Sequence, residues 1–226
     1  MRDGLTISPE GLREQWKYLK DHGYECISLD RFLAIARAEQ PQPSKCFLLT
    51  FDDGYQNNLQ FVYPLLKEFS WEATLFIIAG TLNGSYKDPQ TEESSRKLSV
   101  EELKSMIGSH ICLGLHGYQH ENFSEISLEE QVEAIRKSCE ILEDCELDYT
   151  KVLAYPYGAR PKNSNDFFVL KAWMSEYGIE AAFRIGNRPQ RVPVLDFYEI
   201  NRIDIRGTDS LDDFKIKLHK GKLKPF

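Results

Sequence analysis

Two adjacent carboxylates, Asp52 and Asp53, stand where an apolar run meets a glycine, in the stretch Leu49-Thr50-Phe51-Asp52-Asp53-Gly54. The run from Cys46 to Leu49 is typical of a parallel strand that is buried on both faces. Because side chains alternate along a strand, we expect Asp52 and Asp53 to point in different directions. That difference suits two tasks, in which one aspartate holds a metal ion and the other acts as a base. The stretch is equally typical of a plain strand-to-turn junction, since Asp-Gly is common in turns.

A second stretch places His116 and His120 four positions apart, directly after the apolar residues 113–115. On one helical turn, positions i and i+4 share a face, so both imidazoles can reach one ion. Together with an aspartate from elsewhere in the chain, the pair predicts a divalent metal site. One carboxylate and two imidazoles suit Zn²⁺, and also Co²⁺, Ni²⁺ or Fe²⁺, and three protein ligands leave room for water and substrate.

A third stretch, 152–158, is another apolar run that opens into proline and glycine. Its last four residues are Tyr155, Pro156, Tyr157 and Gly158. A glycine at this place lets the backbone approach a ligand closely. The alternative interpretation is a packed aromatic turn with no role in binding.

In this order, the three stretches resemble the motifs of polysaccharide deacetylases of the NodB-homology type, carbohydrate esterase family 4. The family's Thr-Phe-Asp-Asp-Gly matches Thr50 to Gly54, and its His-x-x-x-His matches His116 and His120. The third motif appears as Ala154 to Gly158, a form typical of one sub-branch. In that branch the arginine that many members carry at the Ala154 position is absent. The resemblance covers the chain from about Leu5 to its end.

The resemblance implies metal-dependent hydrolysis of acetamide groups on N-acetylated sugars, as polysaccharide, oligosaccharide or glycolipid. It implies that Asp53, His116 and His120 hold the metal, with Zn²⁺ as the first choice. Asp52 is then the general base for the water that the metal activates. The backbone N–H of Tyr157 is expected to bind the oxyanion, because Pro156 fixes the preceding turn. The residues expected to contact substrate are Tyr155, Pro156, Gly158 and Arg202.

The sequence departs from the family in its general acid, which most members supply as a histidine in a late Leu-x-His motif. Here Lys217 stands at the leucine position before His219, in a charged helix, which predicts a surface role for His219. Enzymes that resemble the Tyr-Pro-Tyr-Gly sub-branch take this histidine from a strand upstream of the residues that match Leu5. We therefore expect the chain as given to bind metal and to turn over weakly or not at all. Arg202 and Asp204 are candidates for orienting Asp52, or equally for a surface strand.

The elements that must position these residues alternate along the chain. Helices are predicted from a Ser8 cap to Asp21, over Asp30–Ala38 and Asn57–Phe69, from a capping box at Ser99, from a second capping box at Ser127 to about Glu143, and over Asp166–Glu176 and Ser210–Leu218. Strands are predicted over Tyr24–Leu29, Cys46–Leu49, Ala73–Ala79, Ile111–Leu115, up to Tyr155, and over Ile179–Phe183 and Tyr198–Ile205.

Such alternation predicts parallel βαβ units, with all three motif stretches at the carboxyl ends of strands. A doubly wound sheet fits the pattern equally well. The family resemblance favours an incomplete or distorted (β/α)7 barrel with parallel strands. We expect one domain over residues 1–226; either it lacks an N-terminal strand that carries the acid histidine, or another residue donates the proton. The polar excursion Gly80–Lys97 is a candidate lid or substrate loop.

Composition narrows the class of protein. The net charge of −7 is spread along 226 residues, which argues against nucleic-acid binding, while 42% hydrophobic residues suffice for a sizeable core. No apolar run is long enough to span a membrane, and Met1 leads into polar sequence rather than a signal peptide. The five cysteines form no Cys-x-x-Cys pair, so we expect reduced thiols and a cytoplasmic protein, or a secreted protein without its leader.

Two other functions remain open at this stage. One is a metal-free or weakly metal-binding carbohydrate-binding remnant that has lost turnover with its acid histidine, for which an aromatic content of 12% would serve sugar stacking. The other is a metallo-amidohydrolase that acts on a small non-sugar amide. Metal analysis distinguishes the first alternative from a deacetylase, and a substrate panel distinguishes the second. The sequence predicts a carbohydrate partner without naming the sugar.

Overall fold

The computed structural model describes residue 4 and residues 6–87, 96–108 and 110–223. In these ranges the strands are β1 Glu25–Cys26, β2 Cys46–Phe47, β3 Thr50–Phe51, β4 Ala73–Ile77, β5 Ile111–Leu115, β6 Val152–Ala154, β7 Ala181–Ile185 and β8 Ile200–Arg202. The α-helices are α1 Pro9–Asp21, α2 Leu29–Ala36, α3 Tyr63–Phe69, α4 Val100–Met106, α5 Leu128–Asp144, α6 Ser164–Tyr177 and α7 Leu211–Lys220. A π-helical segment, Asn58–Val62, leads directly into α3.

The strands form a half-barrel of parallel neighbours. β3 to β8 make a six-stranded sheet in sequence order, and β1 pairs with β2. The two short strands β2 and β3 are halves of one interrupted strand, since only the residues 48 and 49 separate them. The first half pairs with β1 and the second half pairs with β4. Seven strand positions result, which confirms the predicted incomplete (β/α)7 barrel and excludes the doubly wound sheet.

Alternate residues along the strands enter two separate cores. On the outer face, Leu75, Leu113 and Leu153 pack with helices α1 and α3 to α6. On the inner face, Phe76 and Phe183 pack with residues of α2. A strand that is apolar on both faces therefore reads as a continuous apolar run, as the sequence showed for Cys46 to Leu49.

Side-chain caps set the helix starts where the sequence predicted them. Ser8 accepts the Gly11 N–H ahead of Pro9, and Ser99 and Ser127 form capping boxes with glutamates three residues later. Asn163 caps α6, which begins at Ser164, two residues before the predicted start at Asp166. The cap residue and its partner three residues later therefore predict where these helices begin better than helix propensity does.

The five cysteines, all within the described ranges, are free thiols, as expected from their spacing. None of the helices in those ranges has the length and apolar character that crossing a bilayer requires. Part of the predicted excursion Gly80–Lys97, namely residues 88–95, lies outside the described residues. Its described ends, residues 80–87 and 96–97, are held by backbone contacts to the site loops.

Lys217 has a buried structural role that the sequence did not predict. Its Nζ donates to Asp209 Oδ2 at 2.6 Å and to the Asp204 carbonyl at 2.8 Å. The Lys217 and Asp209 side chains are only 8% and 5% exposed. The pair therefore fastens α7 to the preceding loop, while His219, two residues on, is exposed on the same helix.

We predict that Lys217→Met lowers the free energy of unfolding by about 3 kcal/mol, because it leaves the buried Asp209 carboxylate without its cation. Urea unfolding followed by circular dichroism measures this. The control is Lys215→Met in the same helix, where the pair with Asp212 is largely exposed and is worth at most about 1 kcal/mol. Equal losses in the two variants would show that the Lys217 pair carries no special weight.

Candidate metal centre

Asp52 and Asp53 follow β3 at the carboxyl end of the sheet, and the backbone turns sharply there. Asp53 has φ +72° and Gly54 has φ +69°, both in the left-handed region. The strand's alternation therefore stops before Asp53, and both carboxylates approach the same imidazole. His116 Nε2 lies 3.9 Å from Asp52 Oδ2 and 3.3 Å from Asp53 Oδ1. This corrects the expectation that the two aspartates point apart.

The two histidines come from a loop and not from a helix, which corrects the reason given for their spacing. His116 directly follows β5, Gly117 has φ +78° and His120 has φ +59°. These left-handed residues fold the loop back, so that the two imidazole rings lie 5.1 Å apart between centroids. The His-x-x-x-His spacing thus brings the rings together by a tight loop.

Asp53 Oδ1 lies between the two imidazoles. It is 3.3 Å from His116 Nε2 and 3.4 Å from His120 Nε2. The oxygen is buried and makes no hydrogen bond, although a buried carboxylate oxygen ordinarily has a partner. Two ligands held about 2.0–2.1 Å from one tetrahedral ion are roughly 3.3–3.4 Å apart, so the spacing fits a shared cation.

His116 is oriented for this role by its other ring nitrogen. Nδ1 lies 2.8 Å from the Ala154 carbonyl oxygen, and a carbonyl oxygen only accepts, so Nδ1 carries the proton. The Nε2 lone pair then faces the carboxylates, which is the orientation of a metal-ligating histidine with a backbone partner. The side chain is 2% exposed, so packing fixes the ring.

The charges at the site favour a cation. Burial raises the pKa of Asp52, but the Arg202 guanidinium and both imidazoles outweigh it and hold the pKa at about 2. Burial likewise raises the pKa of Asp53, whereas His116, Lys97 and His120 bring it below its ordinary value. Burial lowers the pKa of His116, but the two carboxylates raise it above its ordinary value. Each shift has the same cause, the attraction between two partly buried carboxylates and positive charge.

Arg202 binds Asp52 through two parallel hydrogen bonds. Its NH1 and NH2 donate to Asp52 Oδ1 at 2.6 Å and Oδ2 at 2.7 Å. The guanidinium lies above the Phe76 ring, and NH1 is 3.3 Å from Thr50 Oγ1. The Arg202 side chain is only 12% exposed, so it contacts Asp52 rather than solvent. Of the roles expected for Arg202, this contact fits the orientation of Asp52. Asp204 instead pairs with Arg206.

The third motif forms a short turn beside His120. Tyr157 has φ +59°, its ring centroid lies 4.4 Å from that of His120, and its side chain is exposed. A Cβ on Gly158 would lie 2.5 Å from Ile185, so glycine is required for this approach. Tyr155 is fully buried and its hydroxyl donates to the Tyr198 carbonyl. The Tyr155 side chain cannot touch substrate from there, which corrects the contact expected of it.

The other histidines have different surroundings within the described residues. His22 Nδ1 lies 2.8 Å from the Tyr18 carbonyl oxygen at the end of α1, and His110 Nδ1 lies 2.9 Å from that of Trp71. His219 is exposed on α7. In the described ranges, the cluster of groups able to hold a metal consists of Asp53, His116 and His120.

We predict that Arg202→Met destabilises the fold at pH 6 and that this loss shrinks as the pH falls toward 3. The folded-state pKa of Asp52, about 2, is below the ordinary value of 3.8. The ion pair therefore stabilises the protein fully above about pH 4, and this stabilisation is lost as the pH falls and the carboxyl group is protonated. Urea unfolding in a metal chelator at both pH values measures this, with Arg206→Met at the exposed pair as control. A loss independent of pH would contradict the ion-pair account.

Two bacterial proteins are similar to this chain in sequence. Over 185 residues the chain is 27% identical to a poly-beta-1,6-N-acetyl-D-glucosamine N-deacetylase of Staphylococcus aureus, covering 76% of the chain and 60% of that relative. It is 24% identical over 156 residues to the Bacillus subtilis protein YxkH, covering 69% of the chain. The chain spans only 52% of the length of YxkH, so about half of that relative has no counterpart here.

The fold is that of solved deacetylases. The Streptococcus pyogenes deacetylase PplD, solved in complex with acetate, superposes with a TM-score of 0.78 over 96% of the chain and 89% of PplD, at 20% identity. The family model for polysaccharide deacetylases matches residues 39–183, a span that begins before β2, ends within β7 and holds Asp52, Asp53, His116, His120 and the third motif. With these motifs on this fold, the chain belongs to the polysaccharide deacetylase family.

Proposed function

We propose that this chain hydrolyses acetamide groups on N-acetylated sugars, with a divalent cation held by Asp53, His116 and His120. The observation that carries the proposal is Asp53 Oδ1, buried without a hydrogen bond and 3.3 and 3.4 Å from two imidazole nitrogens. A cation at this point would be bound by the Asp53 oxygen and by both imidazole nitrogens at once. Poly-N-acetylglucosamine is the favoured class of substrate, because it is the substrate in the name of the Staphylococcus aureus relative.

The donor set suits Zn²⁺ first, and also Co²⁺, Ni²⁺ or Fe²⁺. When bound, such an ion supplies Lewis acidity, both to a water and to the acetamide carbonyl. The chain's own residues then position the water and accept its proton. Because the described residues place no further histidine at the site to protonate the departing amine, we expect slow turnover. Because the three ligands come from two loops at the carboxyl end of the sheet, the site opens where barrel enzymes bind substrate.

Asp52 is the proton acceptor in this proposal. Its carboxylate is next to the three ligand groups, 3.9 Å from His116 Nε2, and it remains ionised throughout the neutral range because its pKa is about 2. Arg202 holds both oxygens in one plane, which fixes the direction from which a water can offer its proton. The bond lowers the basicity of Asp52 and gains a defined orientation in return.

The turn at Pro156 to Gly158 is the proposed oxyanion site. The amide N–H groups of Gly158 and Ala159 already donate to the Tyr155 and Pro156 carbonyls, which makes the turn rigid. Tyr157 lies between Pro156 and Gly158 with its ring against His120, and we assign its backbone N–H to the oxyanion, as the family resemblance implies. Pro156 is buried and contributes by fixing this turn, while the missing side chain at Gly158 lets the turn pack against Ile185.

Metal content tests the ligand assignment. We predict that the purified protein, reconstituted with Zn²⁺ and dialysed, retains about one ion per chain, and that His120→Ala loses most of it because one of three ligands is gone. Inductively coupled plasma mass spectrometry gives the stoichiometry. His219→Ala, which removes an exposed imidazole from α7, is the matched control. Full occupancy in His120→Ala would remove the basis of the proposal.

The two aspartates separate by phenotype. Asp52→Asn is expected to retain the metal and lose acetate release on N-acetylglucosamine oligomers by about 10²–10⁴-fold, the range for a lost general base. Asp53→Asn is expected to weaken the metal itself. Acetate release and metal affinity measured on the same samples distinguish the two. Equal metal affinity in both variants contradicts the division of labour, and a wild-type chain that binds N-acetylglucosamine oligomers without retaining metal favours the carbohydrate-binding alternative.

A further inference from the structure

The loop between the two histidines is held by a carboxylate that belongs to neither the metal set nor the base. Glu121 folds back so that its Oε2 accepts the Tyr118 N–H at 3.0 Å and its Oε1 accepts the Gln119 N–H at 2.8 Å. Hydrogen bonds to an ionised carboxylate are about twice as strong as those between neutral groups. One side chain thereby ties together the residues that separate His116 from His120.

The opposite edge of the loop is held by backbone. The Ala79 N–H donates to the Gly117 carbonyl at 3.1 Å, and the Gly80 N–H donates to the Tyr118 carbonyl at 2.8 Å. The fit is close enough that a Cβ on Gly80 would lie 2.6 Å from that carbonyl oxygen. The loop's carbonyls thus meet the segment after β4, and its N–H groups meet Glu121.

The loop needs this support because its conformation is unfavourable. His120 has φ +59°, a region that residues with a Cβ seldom occupy. Gly117 allows the fold-back, since a Cβ there would lie 2.7 Å from Glu121 Oε2 and 3.3 Å from Pro156. A strained backbone at a site persists only where its surroundings determine it. In this loop Glu121 holds two backbone N–H groups, while the Gln119 side chain adds one bond to the Ser85 carbonyl.

We infer that Glu121 is a positioning residue of the metal centre, which sets where His120 Nε2 stands relative to His116 Nε2 and Asp53 Oδ1. The inference rests on the proposed metal function. Glu121 acts through the backbone of Tyr118 and Gln119, and it touches neither the ion nor the substrate. Because the two imidazoles must stand at ligand distances simultaneously, a relaxed loop misplaces His120 while the rest of the fold persists.

Co²⁺ binding tests this inference, because the absorption bands of the ion report its coordination geometry and the titration gives its Kd. Glu121→Ala is expected to raise the Kd for Co²⁺ by about 10–100-fold and to change the spectrum, the effect typical of losing a partner that orients a ligand. Glu121→Gln keeps the shape and one acceptor oxygen, so it is expected to fold normally and to lie between the wild type and Glu121→Ala. Glu125→Gln, an exposed acid in the same loop, is the control and is expected to match the wild type.

The outcomes distinguish this inference from the proposed function. Wild-type Kd and spectrum in both Glu121 variants would overturn the positioning role and leave the metal site intact. A wild-type protein whose Co²⁺ binding is unaffected by His120→Ala would overturn the metal site and the inference together. A raised Kd with an altered spectrum in Glu121→Gln, with an unchanged far-ultraviolet circular dichroism spectrum and unfolding midpoint, supports positioning over a general loss of folding.

Discussion

The ion pair between Asp52 and Arg202 joins the two edge strands of the six-stranded sheet at their carboxyl ends. β3 and β8 are not hydrogen-bonded to each other, yet the residue after β3 and the last residue of β8 meet through two parallel hydrogen bonds. Phe76, on the inner face of β4, lies beneath the guanidinium. The pair therefore closes the open side of the half-barrel with polar atoms, at the end where the site stands.

This closure determines what the neighbouring acid can do. With Asp52 bound to Arg202, the other carboxylate is left to the imidazoles, and the left-handed backbone of Asp53 directs it toward them. Two acids that are adjacent in sequence thus acquire different partners, one a guanidinium and one a pair of ring nitrogens. Different partners suit them to different chemistry, the proposed proton acceptor and a candidate metal ligand. Position 154 is an alanine, and the arginine that reaches Asp52 comes from β8.

The sequence predicted the elements well where the signal is local. Ser8, Ser99 and Ser127 begin helices because each cap needs only three or four consecutive residues. The apolar runs predicted the strands, although most strands are shorter than predicted because pairing ends where the sheet turns into site loops. The motif residues Asp53, His116 and His120 come together as expected, since parallel strands end at one edge.

Prediction failed where long-range contacts override local rules. Strand alternation does not apply to Asp53, and helical spacing does not apply to His116 and His120, because left-handed residues at both places follow from tertiary packing. Lys217 belongs to a charged helix, yet its side chain is buried against Asp209. No local pattern in the sequence predicts this partner. Glu121 belongs to no motif. Its place directly after His120, a candidate metal ligand, in a loop that contains glycine is nevertheless a sequence signal for a carboxylate that accepts backbone N–H groups.

Anomalous diffraction at the zinc absorption edge tests the central claim most directly. The protein would be crystallised with Zn²⁺, and an anomalous difference map would locate the ion without assumptions about its ligands. The account predicts one strong peak bounded by Asp53 Oδ1, His116 Nε2 and His120 Nε2, at about 2.0–2.2 Å from each, with Asp52 still bound to Arg202. A peak coordinated by Asp52 in place of Asp53, or no peak at this site, would contradict it.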